Sequence, residues 1–161
     1  MVKSISKRER NIMTINKIVI TGGPCGGKTT GMSWIQNAFT ERGYTVLFVP
    51  EVATELITGG VAPWTCSSGL EFQKCLMRLQ IEKEKVFEQA AAGMNAEKIL
   101  IVCDRGALDN KAYVTEDEFR QVMDSVKENE VELRDNYDAV FHLVTAAKGA
   151  EEFYTTANNT A

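Results

Sequence analysis

Three things are scarce in this sequence: long apolar runs, paired cysteines and clustered basic charge. No apolar run approaches the roughly 18 residues that cross a bilayer, so no transmembrane segment is expected. Cys25, Cys66, Cys75 and Cys103 show neither zinc-type spacing nor the density of a disulfide scaffold. They read as reduced thiols of a cytoplasmic protein. The formal net charge is −4, and basic residues cluster only near the start, at Lys3, Lys7, Arg8 and Arg10. A dedicated nucleic-acid surface needs a basic patch and is therefore not expected. No apolar h-region follows those charges, so a signal peptide is not expected.

What is present fits one domain. The 161 residues are 44% hydrophobic and 25% charged, enough for a real core and too few for two comfortable domains. No repeats or low-complexity stretches occur. Residues 1–14 are expected to form a disordered basic tail and residues 15–161 a folded domain. Met13 opens a fresh MTINKIVI, so a start site placed too early is the other reading of the first dozen residues.

Apolar residues at Ile18–Ile20 predict a strand buried on both faces. Residues 29–42 place Met32, Ile35, Ala38 and Phe39 on one side of a helix that Gly43 ends. Tyr44–Val49 is a second strand. After the loop GGVAPWTCSSG, Ser68 and Glu71 have capping-box spacing. The long helix beyond them is expected to bury Phe72, Leu76, Leu79, Val86 and Ala90. Ile99–Cys103 is a third strand, Thr115 and Glu118 cap a further amphipathic helix, and Ala139–Val144 is a fourth strand. His142 within it is read as a satisfied core histidine. Strands alternating with helices predict an α/β fold with a parallel sheet of four or more strands, covered by helices on both faces.

Between the first strand and its helix stands TGGPCGGKTTG. Its segment Gly22, Gly23, Pro24, Cys25, Gly26, Gly27, Lys28, Thr29 satisfies G-x-x-x-x-G-K-[ST] in the strand-to-helix context that the motif requires. Small residues let successive backbone N–H groups curl round phosphate oxygens, and the helix aims its positive end at the same anion. Gly22 through Thr30 are thus the expected nucleotide-binding segment. Lys28 is expected on the β- and γ-phosphates, and the Thr29 hydroxyl on Mg²⁺. An ordinary connecting turn needs one or two glycines, not five.

The third strand ends at Asp104, where a carboxylate faces the glycine loop across the sheet and can serve Mg²⁺. Arg105 follows instead of the glutamate of an ATP-hydrolysing motor. Gly106 arrives one residue early for a switch GTPase, and no N-K-x-D motif occurs. Asp-Arg at this point suits a small-molecule kinase, with Arg105 on acceptor or phosphate; a plain salt-bridge role for Arg105 is the alternative. Glu51, just past the second strand, could take a proton from an acceptor hydroxyl, or be an uninvolved loop carboxylate. Trp64, Phe72 and Tyr113 with Gln73, Arg78 or Gln80 could build an acceptor pocket, although aromatics on a helix stripe read first as core. Cys25, near Lys28 and a helix N-terminus, reads as a small residue tolerated in the loop, with a redox-sensitive thiol as the sharper alternative.

TGGPCGGKTTG, VPEVAT, VCDRG and LRDNYDAVFHLVTAAKGAEEFY together resemble an AAA-type P-loop NTPase/kinase-like family. Its relatives include the ribosylnicotinamide kinase domain of the NAD-biosynthesis regulator and the TRPL translocation-defect protein. The resemblance runs from about Ile18 to the last residue. It implies a nucleoside/nucleotide kinase-like P-loop fold, ATP (or GTP) with Mg as cofactors, and Asp104 and Arg105 in the cleft. It also implies a further helix, a fifth strand and lid arginines beyond TTANNT, so a truncated C-terminal part is expected. No arginine follows Arg134, and only Lys148 lies in the lid-like region. The functional expectation is γ-phosphoryl transfer to a small nucleoside-like acceptor, with Lys28, Asp104, Arg105 and Glu51 as catalytic residues and Thr29 and Asp104 on the metal. The alternative is a nucleotide-binding regulator with slow or no hydrolysis.

Overall fold

A computed structural model of the chain describes residues 12–22 and 27–144. In chain order the elements are β1 (Thr14–Gly22), α1 (Lys28–Glu41), β2 (Thr45–Val49), α2 (Val52–Thr58) and α3 (Gly69–Ala92). β3 (Lys98–Asp104), a 3-10 turn (Ala107–Tyr113), α4 (Glu116–Val126), α5 (Glu130–Asp135) and β4 (Ala139–Leu143) follow. The strands form one sheet in the order β2-β3-β1-β4, and every pairing is parallel. This is the predicted α/β architecture. Most of the expected tail lies outside the described residues, although Thr14 already belongs to β1.

Alternation along the central strands divides the core into two layers. Ile18 and Ile20 of β1 pack with Leu100 and Val102 of β3 against Ile35 of α1. Val19, Ile99, Ile101 and Cys103 face the other way, onto Ala91 and Phe87 of α3. Full burial of each such aliphatic side chain stabilises by about 1.5–3 kcal/mol. A third cluster joins Met77 and Ile81 of α3 to Phe119, Val122 and Met123 of α4. The two caps read from spacing are present: Glu71 N donates to Ser68 Oγ at 3.2 Å, and Thr115 and Glu118 form a reciprocal box.

Two expectations about burial are corrected. On α3, Val86 is 51% exposed and Ala90 is also exposed. The core face instead carries Gln73, Gln80 and Glu84 beside Phe72, Leu76, Met77 and Ile81. Gln80 and Glu84 are accommodated there because they have polar partners across the layer. His142 is exposed, not a core histidine. It lies on β4, an outer strand paired only with β1 among the described residues, where Val140 and Phe141 are exposed as well.

The partners on α3 form a buried network. Lys17, in β1, is only 6% exposed, and its Nζ lies 3.1 Å from Glu84 and 2.5 Å from Glu88. The Tyr137 hydroxyl donates to Glu84 Oε1 at 2.9 Å and accepts from Ala107 N at 2.9 Å. Gln80 Nε2 donates to the same Glu84 oxygen at 2.7 Å and more weakly to the Arg105 carbonyl at 3.4 Å. Burial alone works against the Lys17 charge. The Glu88 hydrogen bond and the charges of Glu84 and Glu88 outweigh it, so the ammonium holds its proton above the usual lysine range. Burial and the Glu84 charge push the Tyr137 phenol upward.

Both shifts have the same consequence for stability. Unfolded Tyr137 and Lys17 lose their protons near the ordinary values of 10.0 and 10.5, while the folded chain still holds them. The unfolded state then binds fewer protons, so stability falls as pH rises through and beyond that range. Thermal melting between about pH 8 and pH 11 is expected to show a steep alkaline loss, keyed to the ordinary pKa values of these groups. A Lys17→Met, Tyr137→Phe, Glu84→Gln triple variant should show a shallower slope. An equally steep slope in that variant would assign the loss to other groups.

Candidate active site

The β1–β3 register sets Ile20 opposite Asp104, so both strands end at the same edge of the sheet. β1 closes on Gly22, whose φ is +153°; a Cβ there would lie 2.5 Å from the Leu143 carbonyl oxygen. That approach lets β4 pair alongside the strand end. Gly23, Pro24, Cys25 and Gly26 lie outside the described residues, and with them the reading of Cys25. The chain re-enters at Gly27, left-handed at φ 72°, as the N-cap of α1. Its N-cap makes no side-chain capping bond and no acidic residue stands in its first turn, so among the described residues the helix itself supplies no counter-anion to its opening N–H groups and positive end.

Lys28 opens α1, and its Nζ lies 3.1 Å from Asp104 Oδ1, with both side chains largely covered. Thr29 and Thr30 are exposed in the same turn. The two expected metal-binding residues thus offer one hydroxyl and one carboxylate at one end of the sheet. Mg²⁺ favours oxygen ligands and is usually held by one or two protein groups plus water and phosphate, so this donor set fits it. Among the described residues no group of three or more His, Cys, Asp or Glu gathers into a metal cage.

Arg105 follows Asp104 in a left-handed conformation, φ 66°, which costs a non-glycine residue roughly 1–2 kcal/mol. Its backbone is held on both sides: its N–H donates to the Ile20 carbonyl at 2.9 Å, and its carbonyl accepts from Gln80. The guanidinium turns to the β2 end, where Nε lies 2.7 Å from Glu51 Oε1. This is a charge contact without hydrogen-bond alignment, because the buried Nε–H has no aligned acceptor among the described residues. Arg105 Nη1 donates to the Tyr113 hydroxyl at 3.2 Å. Burial disfavours the Arg105 charge, but Glu51 and Tyr113 more than compensate and raise its pKa.

Glu51 occupies the N-cap position of α2 without a side-chain capping bond, and its carboxylate accepts from the Thr54 hydroxyl at 3.1 Å. Sequence reasoning missed α2, a helix of 7 residues that is too short for a periodic signal. It also missed Asp109, which accepts from Gly106 N at 2.7 Å and from the Thr21 hydroxyl. Asp109 thereby ties the 3-10 turn to the end of β1. The available signal was Asp109 standing three residues after Gly106, a capping interval.

Two hollows meet at this edge. A cavity of about 260 Å³ between α2, α3 and the 3-10 turn is lined by Phe72, Gln73, Arg105, Asn110 and Tyr113, with Glu51 at one side. A more open cleft of about 560 Å³ is bounded by Met32, Thr54, Asp104 and, again, Glu51. Of the residues considered for an acceptor pocket, Phe72, Gln73 and Tyr113 are brought together. Phe72 also belongs to the core, so the core reading holds for it as well. Trp64 is 75% exposed and lines neither hollow. Arg78 reaches the Ser125 carbonyl, and Gln80 is committed to Glu84 and Arg105. Lys148 lies outside the described residues.

A parallel sheet with a glycine-rich strand-to-helix loop, a lysine at the helix start and an aspartate at the neighbouring strand end defines a P-loop NTPase. A family model described as AAA domain matches residues 17–160, and the chain belongs to that family of P-loop proteins. A search of curated proteins found no match. Among the described residues no helix is long and apolar enough to cross a membrane.

The Arg105–Glu51 pair is testable apart from any ligand. A double-mutant cycle of Glu51→Gln and Arg105→Met, followed by chemical denaturation, should give a favourable coupling of about 0.5–3 kcal/mol. A coupling of zero would reduce the contact to coincidence.

Proposed function

We propose that the chain binds a Mg²⁺–nucleoside triphosphate along Gly22–Thr30 and transfers its γ-phosphoryl group to a hydroxyl of a small nucleoside-like acceptor. The observation that carries this reading is the position of Glu51. It lines both the cavity of about 260 Å³ and the more open cleft bounded by Asp104, and Asp104 is paired with Lys28. A carboxylate at the junction of two hollows is placed to take the proton of an acceptor hydroxyl.

In this mechanism Lys28 leaves Asp104 for the outer phosphates and stabilises the charge that migrates during transfer. Asp104 and Thr29 would hold Mg²⁺, which when bound would supply Lewis-acid neutralisation of the phosphate oxygens. Glu51, steadied by Arg105 and Thr54, takes the hydroxyl proton. The acceptor oxygen bonds to the γ-phosphorus, the bond from that phosphorus to the bridging oxygen breaks, and the nucleoside diphosphate leaves with the electron pair.

A second reading, a regulator that holds nucleotide without transferring it, is favoured by one observation. Every arginine among the described residues is engaged by a local partner: Arg42 by Ala38, Arg78 by Ser125, Arg105 by Glu51, Arg120 by Asp117 and Arg134 by Asp135. None is aimed at the Lys28–Asp104 end.

Incubation with γ-labelled ATP and a panel of nucleosides separates the two. Labelled acceptor is expected; tight Mg²⁺–ATP binding with no transfer to any acceptor would overturn the kinase reading. Lys28→Ala should weaken ATP binding by about tenfold to a hundredfold, the worth of a charge-assisted hydrogen bond of about 1.5–3 kcal/mol. AMP binding should barely change, and equal losses by calorimetry would remove Lys28 from the outer phosphates. Asp104→Asn is expected to flatten the magnesium dependence of ATP binding; an unaltered titration would take Asp104 off the metal.

A further inference from the structure

The β1–β3 register ends at Ile20 and Asp104, where the Arg105 N–H donates to the Ile20 carbonyl at 2.9 Å. One residue further along β1, Thr21 pairs with β4 instead, opposite His142, while the chain after Asp104 leaves the sheet for the 3-10 turn. The backbone ladder between the two strand ends therefore stops just before the glycine segment opens at Gly22.

A side chain continues it. Strand alternation puts Thr21 on the same face of β1 as Val19, the face that packs toward α3. The Thr21 hydroxyl donates to Asp109 Oδ1, and Asp109 Oδ2 accepts from Gly106 N at 2.7 Å. Both oxygens of one carboxylate are thus engaged, one by the residue before Gly22 and the other by the residue after Arg105. The Asp109 N–H returns to the Gly106 carbonyl at 3.2 Å, so the carboxylate is anchored in its own turn when it reaches β1. Thr21 and Asp109 are both partly buried, where a hydrogen bond is electrostatically stronger than in water. Valine would serve the strand equally well at position 21 and lacks only the hydroxyl.

We infer that Asp109 is a positioning residue for the nucleotide segment: as a double acceptor it carries the alignment of β1 and β3 one step past the backbone ladder, so that Gly22 and the Asp104–Arg105 end are set as one unit. The inference rests on the nucleotide-binding part of the reading above and names a residue that aligns it. Asp109 neither moves a proton nor lends its charge to nucleotide or metal in this role. Alignment matters because a misplacement of about 1 Å can cost on the order of a hundredfold in rate. Asparagine can make the same two bonds without the charge. Its amide oxygen accepts from Gly106 N–H, and its amide nitrogen donates to the Thr21 hydroxyl oxygen, which can accept as well as donate.

The test measures binding of a non-hydrolysable ATP analogue with Mg²⁺ to the full chain by calorimetry, beside the melting temperature of each variant. Thr21→Val is expected to weaken binding by about threefold to tenfold, the equivalent of one hydrogen bond. Thr21→Ser should bind within about twofold of the unaltered chain. Asp109→Ala should lose at least as much as Thr21→Val, whereas Asp109→Asn should stay within about twofold. Adding Thr21→Val to Asp109→Ala should weaken binding no further, because the shared bond is already gone. Should Asp109→Ala not fold, Thr21→Val and Thr21→Ser, which leave the cap of the turn in place, carry the comparison. A lowered melting temperature in Thr21→Val with unchanged binding would make the bond structural only and overturn the assignment. Equal losses in Asp109→Asn and Asp109→Ala would overturn it too, since charge would then be the property at work. So would additive losses in the Thr21→Val, Asp109→Ala double variant. Failure of the unaltered chain to bind the analogue would instead overturn the nucleotide reading beneath.

Discussion

The structure depends on the register in which β1 lies against β3. With Ile20 opposite Asp104, two strands far apart in sequence end at the same edge, and Lys28, at the start of the helix after β1, comes within 3.1 Å of Asp104, the last residue of β3. A slip of one residue would exchange the two faces of β1. It would also turn Lys17 from its carboxylate partners into the apolar layer under α1, where Ile18 and Ile20 now pack. Leaving a buried charge without its partner costs about 3–5 kcal/mol. The buried Lys17–Glu84–Glu88 cluster is weak as net stabilisation but effective against the wrong register.

The same cluster reaches the site. Glu84 Oε1 accepts from both Gln80 and Tyr137. Gln80 goes on to the Arg105 carbonyl and Tyr137 to the Ala107 N–H, so the peptides on either side of Gly106 are gripped from the core. Gly106 has to be glycine for this grip, since a Cβ would lie 2.9 Å from a Val19 methyl and 3.2 Å from the Tyr137 ring. The left-handed backbone of Arg105 is therefore imposed by α3 and β1 rather than chosen by its own sequence, and it directs the guanidinium toward Glu51. Core packing and site geometry are one arrangement here.

This coupling explains what was legible in the sequence and what was not. The four strands, α1, α3, α4 and their caps follow from local rules: apolar runs, a helical period, and Ser or Thr three residues ahead of Glu. The places of Gly22 at the end of β1, Lys28 at the start of α1 and Asp104 at the end of β3 were legible because the motif's spacing encodes a strand-to-helix setting. The core face of α3 was misread at Val86 and Ala90 because apolar periodicity cannot see Gln80 and Glu84 as buried. Their burial is set by Lys17, 67 residues from Glu84, and by Tyr137, 53 residues away. His142 was misread for the converse reason, since an apolar strand pattern does not reveal which strand stands at the sheet's edge. Asn110 and Asp109 carry no motif, and only the fold shows that they line one cavity with Gln73, which the sequence offered as one of three polar candidates beside Phe72 and Tyr113.

The two ion pairs at the strand ends also bear on how a polyanion can be received. In the free chain Lys28 is matched by Asp104 and Arg105 by Glu51, so the site holds two cations and two anions in close, partly covered pairs. On the phosphoryl-transfer reading, an entering triphosphate displaces Asp104 from Lys28, and the freed carboxylate becomes available to the metal that accompanies the phosphates. One exchange thus satisfies three charged groups, and none passes through a buried, unpaired state of the kind that costs several kcal/mol. The second pair has no such exchange open to it. Arg105 is fixed through Gln80 and Ile20, and Glu51 is held at the head of α2 with Thr54. On that reading the first pair is the one that rearranges, while the second stands between the open cleft bounded by Asp104 and the cavity lined by Gln73.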